Sequence, residues 1–156
     1  MTTILASLST VAVGLMSGIY WAFTTAVMPG LRDRDDRSFI VTMQSINRRI
    51  LNPWFLTIFM GSLLLPIATA IALFLDDDND ARWWGIAGAI AAAVPFAITI
   101  GGNVPLNNTL DAATPNDDQA ATRRAFEGPW TRLNLWRTIT ATAALAVLIR
   151  TLLTLR

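Results

Sequence analysis

The chain has 156 residues, 53% of them hydrophobic and 15% charged, with a mean hydropathy of +0.46; a soluble domain carries about 25% charged residues. Its net charge is +1 and every basic residue is arginine, so no bulk field draws it to nucleic acid. Cysteine and histidine are both missing, which excludes disulfides, thiolate nucleophiles and Cys- or His-ligated haem, copper or zinc. Any chemistry must come from carboxylates, the single Tyr20, arginine, amides or a bound molecule, and the sequence gives no reason to assign a cofactor.

The first apolar run, Ile4 to Val27, covers 24 residues with no basic segment before it. Signal-peptide cores run about 7–15 residues, so 4–27 is expected to be a retained transmembrane helix. Gly14 and Gly18 form a GxxxG pair in it, read as close packing within the chain, with self-association into a homo-oligomer the alternative. Tyr20 and Thr24 lie one turn apart near its end, and Met28-Pro29-Gly30 is expected to stop it. Loop one, 28–53, carries Arg32, Arg34, Arg37, Arg48 and Arg49. Within it Phe39, Ile40, Met43, Ile46 and Ile50 follow helical spacing, which predicts an amphipathic helix over 36–51, lying on the inner leaflet or covering the bundle, with Asn47 projecting from it. Asn52-Pro53 then turns the chain into a second span.

That span is expected at 54–75 and a third at 83–104, separated by the acidic run Asp76–Asp80. Helix three is rich in glycine and alanine from Gly85 to Ala93 and is expected to pack centrally. Pro66 and Pro95 sit near the middle of their helices, at similar depth. They read as tolerated membrane prolines or, alternatively, as kinks opening a cavity between the two helices. Asn103 and Asn107 are spaced i, i+4 at the end of helix three. A fourth span is expected at 131–153, opened by GPWTRLNLWR at 128–137. Trp130, Asn134 and Arg137 share one face there, and Arg137 enters the apolar layer, where a guanidinium needs partners or a route to water.

The fold class is therefore all-α: one integral membrane domain over 1–156, a bundle of four transmembrane helices with an amphipathic inner-face helix in the first loop. The lipid bilayer is its first partner. Trp54, Trp83, Trp84 and Trp130 fall at predicted helix ends, as headgroup anchors do. Loop one holds five arginines and loop three adds Arg123 and Arg124, with Arg132 just inside the next helix; the opposite side has Arg82, Arg150 and Arg156. This bias places loops one and three in the cytoplasm and both termini outside, in a multi-pass protein of the plasma membrane. Tyr20, Thr24, Asn47, Asn103, Asn107, Trp130, Asn134 and Arg137 then converge near the cytoplasmic edge. Two readings stay open for them: polar glue between helix ends, or the lining of a ligand pocket.

At these residues the chain resembles the anthrone oxygenase-like (DUF1772) family of small four-helix membrane proteins. VMPGL at 27–31, MQSIN at 43–47, GGNVPLNNTL at 101–110 and WTRLNLWR at 130–137 carry the resemblance, in order along nearly the whole chain. It implies the four-helix membrane fold and O₂-dependent oxidation of anthrone-type polyketides to anthraquinones, with the site carried onto Asn103, Asn107, Trp130, Asn134 and Arg137. Relatives often place histidine beside the helix-four asparagine, where this chain has Leu135, so proton transfer through that histidine is closed to it.

Two functions follow as expectations. In a cofactor-free oxygenase, Arg137, Asn134, Asn103 and Asn107 would stabilise a substrate oxyanion while Trp130 and Trp136 stack on flat rings, with Tyr20 and Asn47 in the binding shell. Asp111, Glu127 and Tyr20 are the candidate bases. In a non-catalytic membrane protein, the same pocket would hold a lipid or quinone-like molecule with Arg137 as counter-ion, or the chain would be a subunit of a larger membrane assembly.

Overall fold

The computed structural model describes residues 1–76 and 79–155, with the side chains of Asn79 and Asp80 excepted; Asp77 and Asp78 of the acidic turn, and Arg156, lie outside the described residues. Helix α1 (Thr2–Ala22) passes through a π turn (Phe23–Val27) into the short α2 (Met28–Arg32). After α3 (Asp36–Ile50) come α4 (Pro53–Leu75) and α5 (Asn79–Ile98); a second π turn (Thr99–Asn103) leads into α6 (Val104–Asp111), and α7 spans Gln119–Thr154. No strand occurs among the described residues.

Four continuous helical segments, Thr2–Arg32, Pro53–Leu75, Ala81–Asp111 and Gln119–Thr154, are long and apolar enough to cross a membrane. The protein is a multi-pass membrane bundle whose outer wall is apolar: Leu8, Val11 and Leu15 on α1, Leu64 and Ile71 on α4, Ile90 on α5 and Ile149 on α7 are all exposed. Buried hydroxyls pair across helices instead. Ser9 meets Thr69 at 2.9 Å and Ser17 meets Thr142 at 3.1 Å, both between helices. This is the arrangement lipid favours, because apolar side chains gain little by leaving hydrocarbon whereas polar groups must find one another.

The helices pack as a square, α1 and α5 each lying against both α4 and α7. Helix three is thus not central, as its small residues had suggested. Its glycines serve close contact with both neighbours: a Cβ on Gly85 would stand 2.6 Å from Leu73 Cδ1, and one on Gly88 2.7 Å from Leu148 Cδ2. The GxxxG pair divides in function, since Gly14 faces Leu145 at ordinary contact distance and nothing lies within 4 Å of a Cβ on the exposed Gly18.

Met28-Pro29-Gly30 does not end the first span, and Pro105 does not end the third. A proline nitrogen has no hydrogen to give, and its ring strikes the carbonyl four residues back. Each helix accommodates this by widening just before the proline: Met28 N–H bonds to Phe23 O and Val104 N–H to Thr99 O, five residues back, and Pro29 and Pro105 follow directly. π turns of this kind recur at functional sites because they shift side-chain register without ending the helix.

The amphipathic helix covers one end of the bundle. Asp35 caps α3 by accepting Ser38 N–H at 3.0 Å, and these bonds hold its carboxyl below the usual value. Phe39, Ile40 and Met43 bury into a cluster with Met28, Leu110, Phe126 and Trp130. Gln44 donates to Leu110 O and Ala113 O, closing the end of α6, and Arg48 pairs with Asp111 at 2.6 Å. Helix α7 begins at Gln119, well ahead of the expected 131, and carries Pro129 inside it. Its projecting first turns hold Arg123, which donates to Arg32 O, Arg34 O, Asp36 and Glu127 and lies over the Phe39 ring, pinning the α2–α3 turn to α7.

Candidate functional site

Just beneath α3, where both π turns lie, a cavity of about 220 Å³ opens among α1, α3, α4, α6 and α7. Its walls are mostly apolar: Ile19 and Phe23 from α1 and its π turn, Ile46 and Ile50 from α3, Phe55 and Phe59 from α4, Val104 from α6. Phe55, Phe59 and Phe96 form a stack, with centroids 5.7 Å and 4.6 Å apart. The polar groups on the wall are Tyr20, Asn47, Thr99, Asn107, Trp130 and Arg137. Leu51, Leu56 and Ile100 form an exposed rim, so an apolar edge faces outward.

Arg137 is 7% exposed, and no carboxylate lies within ion-pair reach among the described residues. Its neighbours are neutral. Nη2 donates to Asn134 Oδ1 at 2.7 Å and Nη1 to Thr99 Oγ1 at 3.4 Å, while Nε has no acceptor. The guanidinium carbon sits 4.5 Å from the Tyr20 ring centroid and 5.2 Å from that of Trp130. Faces of aromatic rings attract a cation, but they do not neutralise it. The wall therefore carries a buried positive charge with donor capacity to spare.

The amide of Asn134 is committed on both sides, donating to Tyr20 O at 3.0 Å and Thr24 Oγ1 at 2.8 Å while accepting from Arg137. It holds the guanidinium from behind and does not line the cavity. Asn103 is also set back: fully buried, it gives Nδ2 to Trp130 O at 3.4 Å and leaves Oδ1 without a partner. Asn107 accepts the Trp130 indole N–H at 2.8 Å, which orients that ring beside the cavity. The side-chain nitrogen of Asn47 is buried without an acceptor, a second unused donor on the wall.

Of the residues singled out from the sequence, Tyr20, Asn47, Asn107, Trp130 and Arg137 line this cavity and Asn103 and Asn134 stand behind it. Trp136 is not part of it. It is 54% exposed on the outer face of α7, because its offset from Trp130 carries it round to the far side of the helix. Asp111 and Glu127 are held elsewhere, by Arg48 at 2.6 Å and by Arg123 at 2.7 Å. Tyr20 alone of the candidate bases reaches the cavity. The mid-helix prolines do not create it either, since the space beside Pro95 is only about 10 Å³. Thr99 was missed by sequence reasoning. Its hydroxyl donates to Pro95 O at 2.8 Å, lies 3.5 Å from the Tyr20 hydroxyl and accepts from Arg137. The i, i+4 spacing of Thr99 and Asn103 was the available signal.

Fold and cavity together define a four-helix membrane protein with a cationic pocket at one end of the bundle, its wall free of carboxylates among the described residues. The chain belongs to the anthrone oxygenase family, whose model matches residues 54–147. The match takes in Asn103, Asn107, Trp130, Asn134 and Arg137 and begins after α1 and α3, which supply Tyr20 and Asn47. No curated protein and no solved structure matches the chain.

Proposed function

We propose that the protein is a cofactor-independent oxygenase that oxidises the methylene of a flat, enolisable aromatic ketone of the anthrone class. The observation that carries this reading is the buried Arg137 guanidinium, without a counter-charge among the described residues, on the wall of an aromatic-lined cavity. An anthrone loses a methylene proton readily because the resulting charge spreads onto its ketone oxygen. Arg137 is placed to receive that oxygen as charge develops, in surroundings where a fixed cation acts more strongly than in water. The anion gives an electron to O₂, carbon and oxygen combine, and loss of water leaves the second carbonyl. One O₂ is consumed: one oxygen atom enters the product, and the other leaves as water with the two methylene hydrogens. The methylene proton passes to water, and the Tyr20 hydroxyl, linked to Arg137 through Thr99, belongs to the hydrogen bonds that orient the guanidinium.

The cavity lies under the range of about 300–1,000 Å³ usual for drug-sized ligands, which favours one compact ring system. Its apolar rim at Leu56 and Ile100 suits a substrate arriving from the hydrocarbon layer. The arginine excess of loops one and three supports a cytoplasmic position for this end, with both termini outside.

The test is anthraquinone formation and O₂ uptake by the purified protein supplied with an anthrone, against empty micelles to subtract autoxidation. Wild type should exceed micelles, and Arg137→Ala should lose about 10²-fold or more, as removal of an oxyanion donor does. Wild type indistinguishable from micelles removes the oxygenase reading for that substrate. A second reading, binding of a quinone or lipid without turnover, is favoured by the absence of carboxylates from the wall. It predicts quenching of Trp130 fluorescence by the anthrone or a quinone without product.

A further inference from the structure

On the opposite side of α7 from the cavity lies a groove of about 580 Å³, lined by Arg32, Arg124, Arg132, Glu127, Thr131 and Leu135 among others, and sharing no lining residue with the cavity. Three guanidiniums face one carboxylate, and three minus one leaves the lining at +2. The carboxylate is already occupied, since Glu127 accepts from Arg123 at 2.7 Å and has Arg32 at 3.9 Å. Arg124 and Arg132 form no ion pair among the described residues. Thr131 Oγ1 is buried with no hydrogen-bond partner among the described residues. Gly128 also lines the groove, and nothing lies within 4 Å of a Cβ placed on it, so a ligand can approach bare backbone there.

The depth of the groove indicates what would fill it. Arg132 and Arg150 are 18 positions apart on α7, about 27 Å at 1.5 Å per residue, close to the thickness of a bilayer's hydrocarbon core. Arg132 therefore stands at one interface. Beyond it, toward the bilayer centre, Leu135, Trp136 and Ile139 are exposed and apolar. Arginines above and an exposed apolar strip below match a molecule with an anionic head and hydrocarbon tails. We infer that this groove binds the phosphate diester of an anionic phospholipid, with Arg124 and Arg132 on the phosphate oxygens, Thr131 donating its hydroxyl and the acyl chains lying along Leu135 and Ile139.

The experiment uses the full chain in nanodiscs of phosphatidylcholine, with and without phosphatidylglycerol, and reads retained lipid by native mass spectrometry. Wild type should retain phosphatidylglycerol in preference to phosphatidylcholine. Arg124→Gln with Arg132→Gln should weaken retention roughly fivefold per arginine, about 25-fold for the pair. Arg37→Gln with Arg49→Gln removes the same charge from exposed loop-one positions and should leave retention unchanged. Equal loss from the two pairs would reduce the effect to bulk charge and overturn the site, as would equal retention of the two lipids by wild type. Inorganic phosphate or glycerol phosphate competing as well as phosphatidylglycerol would also overturn the lipid assignment, leaving a site for free phosphate.

Discussion

Arg137 Nη2 donates to Asn134 Oδ1 at 2.7 Å, one turn back on the same helix, while Asn134 Nδ2 reaches across to Tyr20 O and Thr24 Oγ1. One amide thus aims the buried cation and ties α7 to α1 where the first π turn begins. Replacement of Asn134 by leucine would strip the guanidinium of its best acceptor. The expected loss is about 2–4 kcal/mol, since charged and neutral hydrogen bonds go together and polar groups stay buried. Asn134→Asp should behave differently, giving Arg137 a carboxylate and cancelling the free positive charge. Detergent-phase thermal unfolding reads the first; the second should remain folded yet lose turnover or ligand binding, and retained binding would count against the role given to that charge.

Trp130 and Asn107 can be tested as a pair. The indole N–H gives its bond to Asn107 Oδ1 at 2.8 Å, so Trp130→Phe and Asn107→Leu should each cost about 1 kcal/mol. Their double variant should cost clearly less than the sum, because both remove the same bond. Strict additivity would mean that the bond contributes nothing to the fold.

Arg123 lies far from the cavity along α7, yet it fixes the carbonyls of Arg32 and Arg34. Arg123→Ala should destabilise the protein by about 1–3 kcal/mol, because two half-buried carboxylates and two exposed carbonyls lose a charged donor together. Trypsin supplies the local readout: cleavage after Arg32 or Arg34 should accelerate in the variant. Arg123→Lys should rescue little, since an ammonium cannot span the same fork of acceptors. An unchanged cleavage rate would show that the turn is held by the apolar packing of α3 alone.

Two glycines separate a motif from a packing requirement. Gly88→Ala places a methyl group 2.7 Å from Leu148 Cδ2, on a side chain 1% exposed, and should cost about 1–3 kcal/mol as overpacking does. Gly18→Ala, in the GxxxG pair, meets nothing and should be neutral or stabilise by up to about 1 kcal/mol through helix propensity. Comparison of melting midpoints in one detergent decides it. A large loss at Gly18 would point to an interface between copies of the chain.

The four spans, the amphipathic helix and the gathering of polar residues at one end were legible in the sequence, because each rests on a local quantity. Twenty apolar residues in a row meet the thickness of a bilayer, a period of 3.6 defines a helix face, and alternating topology fixes which helix ends are neighbours. Asn134 and Arg137 were found this way, one turn apart on one face. Helix continuation past Pro29 and Pro105 was not legible. Met28-Pro29-Gly30 reads locally as a stop and the third span was expected to close at 104, and only the packed bundle favours the π turns that keep both helices going. The same holds for the division of labour among the polar residues. Whether an asparagine faces a cavity or stands behind it depends on rotations of tens of degrees between packed helices, which the sequence of one helix does not contain. Tertiary structure alone sends Trp136 outward, engages Asp111 and Glu127 with arginines, and leaves Arg137 beside rings and hydroxyls with no counter-charge among the described residues. Sequence determined which groups must leave the lipid; packing decided which of them satisfy one another and which remain free for a ligand.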